Sequence, residues 1–200
     1  MVAGFPNELM GLDIIWPLPQ TTAGNKYVLV MVDYFTKWAN ARPLSAIDAN
    51  SVAQEFVAGW IADHGVPYQV HTDGGTQFEG SLLQELCKIL NIKKSRTTAY
   101  HPQGNGQEER TNWTLKQLLT LQLDCMEHDR WDLAYRAAVH SSTGQTPAFM
   151  IYGRELRVSV DVQNTPPREW LNPRTKAYPH EIMERIWRAH VDARHKLFGT

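Results

Sequence analysis

The sequence lacks the features of a disulfide-stabilised, secreted or membrane-spanning protein. It has only two cysteines in 200 residues, too few for a disulfide framework or for the usual cysteine-rich zinc sites. No apolar run approaches the length that crosses a bilayer. The amino terminus has no basic region followed by an apolar stretch, so it does not resemble a secretion signal. We therefore expect a protein without membrane association, in a reducing intracellular compartment.

The chain also lacks an excess of charge of one sign. Its formal net charge is -1, whereas a self-sufficient DNA-binding domain is usually basic. Any contact with DNA must therefore come from local basic patches. Two stretches can supply them, and their members are Lys88, Lys93, Lys94 and Arg96 in one and Arg110 and Lys116 in the other. The alternative is an ordinary solvated surface of mixed charge, which charge alone favours.

Three apolar runs near the start of the chain predict strands. They cover Met10–Ile15, Tyr27–Val32 and Trp38–Leu44. The second run is unbroken aliphatic and β-branched sequence, which predicts a strand buried on both faces. Turn-forming residues separate the runs, so together they predict an antiparallel meander.

Helices and strands then alternate. Val52, Phe56 and Trp60 recur at helical spacing and predict a first helix, which Gly65 ends. Its start can be capped by any of three polar residues, Asp48, Asn50 or Ser51. A strand is predicted next, at 68–72.

A second helix is predicted to open at Ser81, which forms a capping box with Gln84. Its predicted apolar side consists of Leu82, Leu83, Leu86 and Leu90. A strand is then predicted at 92–97, followed by a loop at 98–106.

Three further helices are predicted, at 107–124, at 131–138 and near the carboxyl end. The last has an apolar side formed by Ile182, Ile186, Trp187 and Val191. Strands first, then strands alternating with helices, indicate an α/β sandwich with a mixed sheet.

Three acids stand out by their positions. Asp13 lies inside an apolar strand, Asp73 ends a strand before two glycines, and Glu109 lies in the first turns of a helix. Three carboxylates around one pocket suit Mg²⁺ or Mn²⁺, and two such ions can activate an attacking oxygen and stabilise a leaving oxygen. Simpler alternatives remain open: Asp73 can form a turn, and Glu109 can favour the helix dipole. Asp33 ends a strand in a similar way and points to no catalysis.

Several longer stretches resemble the integrase core of Ty3/gypsy-type retrotransposons. They read GLDIIWPLP, NKYVLVMVDYFTKWANARPL, HGVPYQVHTDGGTQFEG, TTAYHPQGNGQEERTNWTLKQLL and AYRAAVHSSTGQTPAFMIYGREL. The resemblance implies an RNase H-like fold with a five-stranded mixed sheet flanked by helices. It places the catalytic core at 8–162 and a linker with a carboxyl-terminal amphipathic helix at 163–200. It also implies localisation in the nucleus, with a cytoplasmic stage.

The resemblance implies DNA 3′-end processing followed by joining to target DNA. Asp13, Asp73 and Glu109 match the catalytic acids of the family, which hold two Mg²⁺ or Mn²⁺ ions. The implied partners are double-stranded DNA of the element ends and target DNA. The implied DNA contacts are Lys94, Arg96, Tyr100, His101, Gln103, Asn105, Asn112 and Lys116.

The sequence departs from the family pattern in several places. Between Trp131 and Tyr135 it lacks about two helical turns of a helix at the family's dimer interface, so homo-oligomerisation is not expected to carry over directly. Trp16 replaces a glycine beside the first acid, and Glu108 adds charge beside Glu109. These departures favour an alternative, a decayed or domesticated fragment that only binds nucleic acid or protein. A nuclease acting on RNA–DNA hybrids would share the same metal site.

Overall fold

The computed structural model describes residues 2–15, 19–96, 131–157 and 178–199. Its contacts divide the chain into two compact units. The described residues of the first unit are 2–15, 19–35 and 39–96, and those of the second are 36–38, 131–157 and 178–199. The domain bounds expected from the resemblance, 8–162 and 163–200, stay a prediction.

The first unit contains one five-stranded sheet. Its strands are β1 (Leu9–Ile15), β2 (Tyr27–Asp33), β3 (Ala39–Leu44), β4 (Gln69–Thr72) and β5 (Lys93–Arg96). Their order across the sheet is β3-β2-β1-β4-β5. β1, β2 and β3 form the antiparallel meander, while β4 and β5 run parallel to β1. The mixed five-stranded sheet predicted from the sequence is confirmed.

The central strands are buried because their sequences are apolar on both faces. In β2, four consecutive residues from Leu29 to Val32 are each at most 4% exposed. Met10 in β1 and Val70 in β4 are fully buried beside them. The outer strands differ: β3 contains Pro43, and β5 reads Lys-Lys-Ser-Arg. The core of the unit therefore lies around β2, β1 and β4.

Helix α1 (Ala49–Phe56) follows the meander and begins at Asp48. Asp48 Oδ1 accepts hydrogen bonds from the N–H groups of Asn50 and Ser51, both at 3.0 Å. Of the three possible caps, the structure therefore selects Asp48. The Ser51 hydroxyl also donates to Asp48 Oδ2, at 2.7 Å. This hydrogen bond, and then those from the backbone N–H groups, lower the pKa of the Asp48 carboxyl.

The first helix does not stay α-helical to its end. A π-helical turn (Val57–Ile61) follows α1 and leads into α2 (Ala62–His64), and Gly65 ends the helix at φ 80°. A Cβ atom on Gly59 would lie 2.9 Å from Met31 Cε, so the helix backbone approaches the sheet closely at this glycine. Asn40 Nδ2 donates to the Gly59 carbonyl at 2.6 Å. A side chain of the sheet thus bonds a carbonyl within the π-turn.

Helix α3 (Ser81–Ile89) shows that the predicted capping box is wrong. The cap residue is Gly80, which makes no side-chain cap bond, and Gln84 Nε2 donates instead to the Glu79 carbonyl at 3.0 Å. A Cβ atom on Gly80 would lie 2.6 Å from Ala49 Cβ, so only glycine fits where the start of α3 meets the start of α1. Ser81 consequently lies inside the helix.

The apolar side of α3 was predicted only in part. Leu83 and Cys87 are buried, whereas Leu82 is 43% exposed. Burial raises the pKa of the Cys87 thiol. Leu86 and Leu90 are half-buried, so three of the four predicted leucines lie on the covered side of α3 and Leu82 does not.

The second unit contains three described helices, α4 (Trp131–Ala137), α5 (Pro147–Tyr152) and α6 (Tyr178–Phe198). Thr146 caps α5, since its hydroxyl oxygen accepts from Phe149 N–H at 3.0 Å. The same hydroxyl donates to Glu155 Oε2 at 2.7 Å. No described helix of the chain has the length and apolarity that crossing a membrane requires.

Helix α6 packs against α5 and the glycine that ends it. Ala189 and Ala193 are buried, and a Cβ on Gly153 would lie 2.8 Å from Ile186 Cγ1. Trp187, predicted on the apolar side, is 63% exposed, so that assignment is wrong. The buried side of α6 instead contains Ala189 and Ala193, three and seven residues after Ile186.

The turn at residues 36–38 belongs to this second unit. The Tyr135 hydroxyl donates to the Lys37 carbonyl at 2.8 Å. The Arg136 guanidinium lies 4.2 Å from the centre of the Trp38 ring, a cation–π contact. Tyr152 meets the same ring edge-on at 5.5 Å. Long-range contacts thus hold α4 and α5 to this turn.

Candidate active site

Two of the three predicted catalytic acids are neighbours in the sheet register. β1 and β4 are parallel, and Leu12 pairs with Thr72. Asp13 and Asp73 are the next residues along these two chains. Neighbouring strands lie about 4.8 Å apart. The register therefore brings the two acids together where β4 ends.

The two carboxylates have different surroundings. Asp13 is half-buried, and its Oδ1 accepts a hydrogen bond from Ile14 N–H at 2.9 Å. Asp73 is exposed, and its Oδ1 accepts from Gly75 N–H at 3.0 Å. The second contact is an Asx-turn, the simpler role that the sequence allowed for Asp73. The Asx-turn uses Oδ1 alone. Among the described residues, Oδ2 of Asp73 accepts no hydrogen bond and can bind a metal ion.

Hydrogen bonds between polar side chains hold β4, the strand that ends just before Asp73, to β5. His71 is 5% exposed, and its Nδ1 lies 3.0 Å from Ser95 Oγ. Gln69 Nε2 donates to the same oxygen at 2.9 Å. These contacts join β4 to β5 two residues before Asp73, so the backbone at the acid has a rigid support.

The hydroxyl of Thr72, unlike the polar groups of Gln69 and His71, makes no hydrogen bond to the described residues. Thr72 is 1% exposed, and its hydroxyl is the only buried side-chain polar atom of the described residues without a hydrogen-bond partner. An unpaired buried hydroxyl typically costs about 1–3 kcal/mol.

The described residues supply an oxygen donor set of two carboxylates. Such ligands fit Mg²⁺ or Mn²⁺ and not a soft metal. Among the described ranges no group of three His, Cys, Asp or Glu side chains is placed to hold an ion. Several predicted site residues lie outside the described residues: Glu109, Tyr100, His101, Gln103, Asn105, Asn112 and Lys116.

The two predicted DNA contacts that are described, Lys94 and Arg96, lie away from the acids. In β5, Lys94 pairs with Val70 and Arg96 with Thr72, whereas Ser95 pairs with His71. Since side chains alternate between faces, Lys94 and Arg96 share the face of Val70 and Thr72. Asp13 shares the opposite face with Gly11, which pairs with His71.

Lys94 also has an acidic partner that the sequence did not reveal. Its Nζ lies 2.6 Å from Glu79 Oε1. The hydrogen bond and charge of Lys94, and then the charge of Arg96, lower the pKa of the Glu79 carboxyl. The two residues are 15 positions apart and in different elements. No local pattern relates them, so only the tertiary structure shows the pair.

Asp33, the strand-end acid for which the sequence indicated no catalysis, makes structural hydrogen bonds. It is 2% exposed, and its Oδ1 accepts from the N–H groups of Asn7 and Phe35. Asn7 in turn accepts from Trp60 Nε1 at 3.0 Å and donates to the His64 carbonyl at 3.1 Å. Asp33 thus holds a turn at the end of β2 and lies in a network that fixes the end of the first helix.

Comparison with known proteins defines the class. Residues 5–102 match the family model of the integrase core domain. The resemblance indicated by the sequence motifs is confirmed by this match.

Two Pol polyproteins show the relationship in sequence. The retrovirus-related Pol polyprotein from transposon 412 of Drosophila melanogaster is 33% identical over 122 residues, which cover 61% of this chain and 10% of that protein. The Pol polyprotein of Feline endogenous virus ECE1 is 31% identical over 174 residues, covering 82% of this chain and 16% of that protein. The chain therefore spans less than a fifth of either polyprotein.

A solved structure shows the relationship in fold. The HTLV-2 integrase catalytic core domain, in complex with magnesium and in a trimeric form, superposes with a TM-score of 0.55 at 22% identity. The match covers 72% of this chain and 95% of that chain. The RNase H-like fold predicted from the resemblance is therefore confirmed.

Proposed function

We propose that this chain is the catalytic core of a retrotransposon-type integrase, which processes the 3′ ends of element DNA and joins them to target DNA. The observation that carries the proposal is the register of β1 and β4. It makes Asp13 and Asp73 neighbours although 59 residues separate them in the chain. The integrase core family of residues 5–102 supports the same reaction class.

Asp13, Asp73 and Glu109 are proposed to hold two Mg²⁺ or Mn²⁺ ions. The magnesium complex of the related HTLV-2 core supports a divalent cation. When bound, such ions lower the pKa of an attacking oxygen and stabilise the leaving oxygen of a phosphodiester. Asp73 contributes its exposed carboxylate, and the Asx-turn to Gly75 fixes the direction of that carboxylate. Asp13 contributes a half-buried carboxylate on a central, rigid strand.

The proposed substrates are duplex element ends and target DNA. A water molecule attacks in end processing, and a DNA 3′-hydroxyl attacks in joining. Positioning and charge stabilisation supply the catalysis, and no covalent protein intermediate is required. The reaction is proposed to take place in the nucleus.

The test is Asp73→Asn, compared with the matched control Asp63→Asn on α2. We expect Asp73→Asn to abolish Mg²⁺- or Mn²⁺-dependent nicking and strand transfer with a duplex that carries the end of a related element. Asp63→Asn should retain both activities, since Asp63 is exposed and lies outside the site. Unchanged nicking by Asp73→Asn would refute the assignment.

A second measurement separates catalysis from simple binding. Mg²⁺ that binds the folded state raises the midpoint of thermal unfolding. We expect this rise in the unaltered chain and in Asp63→Asn, and a smaller rise in Asp73→Asn. DNA binding without any metal-linked stabilisation would instead indicate a binding module that has lost its chemistry.

A further inference from the structure

A pocket of about 420 Å³ lies between α3 and β5. Four charged side chains line it, Glu79, Lys88, Lys94 and Arg96, and Cys87 and Ser95 form part of its wall. We call it the basic pocket. Three of its charged groups are cations and one is an anion, which contrasts with the overall charge of -1. It is therefore a local site of positive charge on a chain that is otherwise nearly neutral.

Among the described residues, Glu79 forms an ion pair with only one of the three cations. Its carboxylate lies 2.6 Å from Lys94 Nζ, and the Lys94 side chain is 16% exposed. Within the described ranges, Lys88 and Arg96 form no ion pair. Among the described residues, the pocket thus holds one partly desolvated ion pair and two further cations that form no ion pair.

The basic pocket is separate from the pair of acids. Lys94 and Arg96 lie on the face of β5 that they share with Val70 and Thr72, and Asp13 lies on the opposite face. A phosphate in the pocket would therefore be a different phosphate from the one at which bonds are made and broken.

We propose that the basic pocket binds a backbone phosphate of DNA, and that Glu79 occupies the place of this phosphate on Lys94 when DNA is absent. Carboxylate and phosphate oxygens both accept charge-assisted hydrogen bonds from an ammonium group, so one can replace the other. Lys88 and Arg96 then contact the same phosphate or its neighbour. The inference rests on the proposed function only in taking DNA as the ligand.

Glu79 consequently weakens DNA binding in the unaltered chain. Each phosphate contact changes the slope of log K against log salt by about 0.9. If Lys94 is freed for one such contact, the loss of affinity between 50 and 200 mM salt should become about 3.5 times larger. The Glu79 carboxylate thus competes with DNA phosphate for Lys94. Its removal should steepen the salt dependence of DNA binding, which the loss of a distant negative charge should not do.

The experiment measures binding of a short DNA duplex by fluorescence anisotropy at several salt concentrations. EDTA is present, so the result does not depend on the proposed metal chemistry. Glu79→Gln is compared with Glu85→Gln, an exposed residue of the same helix whose replacement changes the net charge equally. We expect Glu79→Gln to bind several-fold more tightly with a slope steeper by about 0.9, and Glu85→Gln to leave the slope unchanged.

Variants of the basic residues, alone and combined with Glu79→Gln, test which cation Glu79 affects. Lys94→Gln alone should change binding little, because the unaltered chain gains the contact of Lys94 with phosphate only by breaking the ion pair with Glu79. In the Glu79→Gln background, Lys94→Gln should remove the whole gain. Lys93→Gln is the matched control, since the Lys93 ammonium lies 3.0 Å from the Tyr68 hydroxyl and outside the pocket. Arg96→Gln should weaken binding and reduce the slope by about 0.9.

Equal effects of Glu79→Gln and Glu85→Gln would overturn the inference. So would a gain from Glu79→Gln that survives Lys94→Gln. Thermal stabilisation by inorganic pyrophosphate that depends on Lys94, without any change in DNA binding, would show a small-anion site and would also overturn it. The nicking assay with Asp73→Asn tests the catalytic proposal separately, because it involves the opposite face of the sheet.

Discussion

His140 should make the stability of the chain depend on pH. Its ring lies at the start of the turn before α5, and Ser142 N–H donates to its Nδ1 at 3.3 Å. A nitrogen that accepts a hydrogen bond carries no proton, so the fold selects the neutral ring. Burial, and then the charge of Lys37, lower the pKa of His140 from 6.5 to about 4.

The direction of the effect follows from proton binding. Between pH 6.5 and pH 4 the unfolded chain binds a proton at His140 that the folded chain does not bind, so stability falls as the pH falls. The contribution is complete above pH 6.5 and is lost as the pH approaches 4. From pH 7.5 to pH 4.5 the expected loss is about 2–3 kcal/mol, since one pKa unit corresponds to about 1.4 kcal/mol.

The assay is urea unfolding at pH 7.5, 6.0 and 4.5, with the unaltered chain compared with His140→Asn. Asparagine places Oδ1 close to the position of Nδ1, so it can still accept from Ser142 N–H, but it does not titrate. We expect His140→Asn to lose about 2–3 kcal/mol less stability over this range. His180→Asn, at an exposed histidine of α6, should follow the unaltered chain. Parallel stability curves for the unaltered chain and His140→Asn would refute the reasoning.

Two further predictions concern the packing of α5. Thr146→Val should lower the free energy of unfolding by about 1–2 kcal/mol, because it removes both the cap to Phe149 N–H and the hydrogen bond to Glu155. The control is Ser141→Ala, at an exposed position of the same turn, which should change the free energy of unfolding little. Gly153→Ala should cost at least about 1–2 kcal/mol, since φ is 63° and the new Cβ would lie 2.8 Å from Ile186 Cγ1. The control is Gly74→Ala, where the Cβ position has no neighbouring atom within 4 Å. Urea unfolding measures both, and a loss at Gly74 as large as that at Gly153 would contradict the second.

The sequence predicted the strands well because their signal is local. The run at 27–32 is apolar throughout, and the structure buries it from Leu29 to Val32. The same run could not show which strands pair. The alternation of strands and helices predicted a mixed sheet, but the parallel pairing of β1 with β4 and the register that joins Leu12 to Thr72 are seen only in the structure.

The errors arose where two elements approach closely. Ser81 and Gln84 have the chemistry of a capping box, but the contact of Gly80 with Ala49 displaces the cap by one residue. Trp187 fits an apolar helical stripe by periodicity, yet it is 63% exposed, and Ala189 and Ala193 are the buried residues of α6. Periodicity gives the side of a helix that is apolar, but not the distance to its neighbour, which decides between large and small residues.

The two outermost strands of the sheet have a consequence for the behaviour of the chain at high concentration. A strand at the rim exposes unsatisfied backbone groups and can recruit another molecule. Proline at position 43 removes one donor from β3, and repulsion among Lys93, Lys94 and Arg96 opposes the approach of a second β5. Replacing these basic groups by neutral ones would remove a barrier to self-association as well as a surface for polyanions.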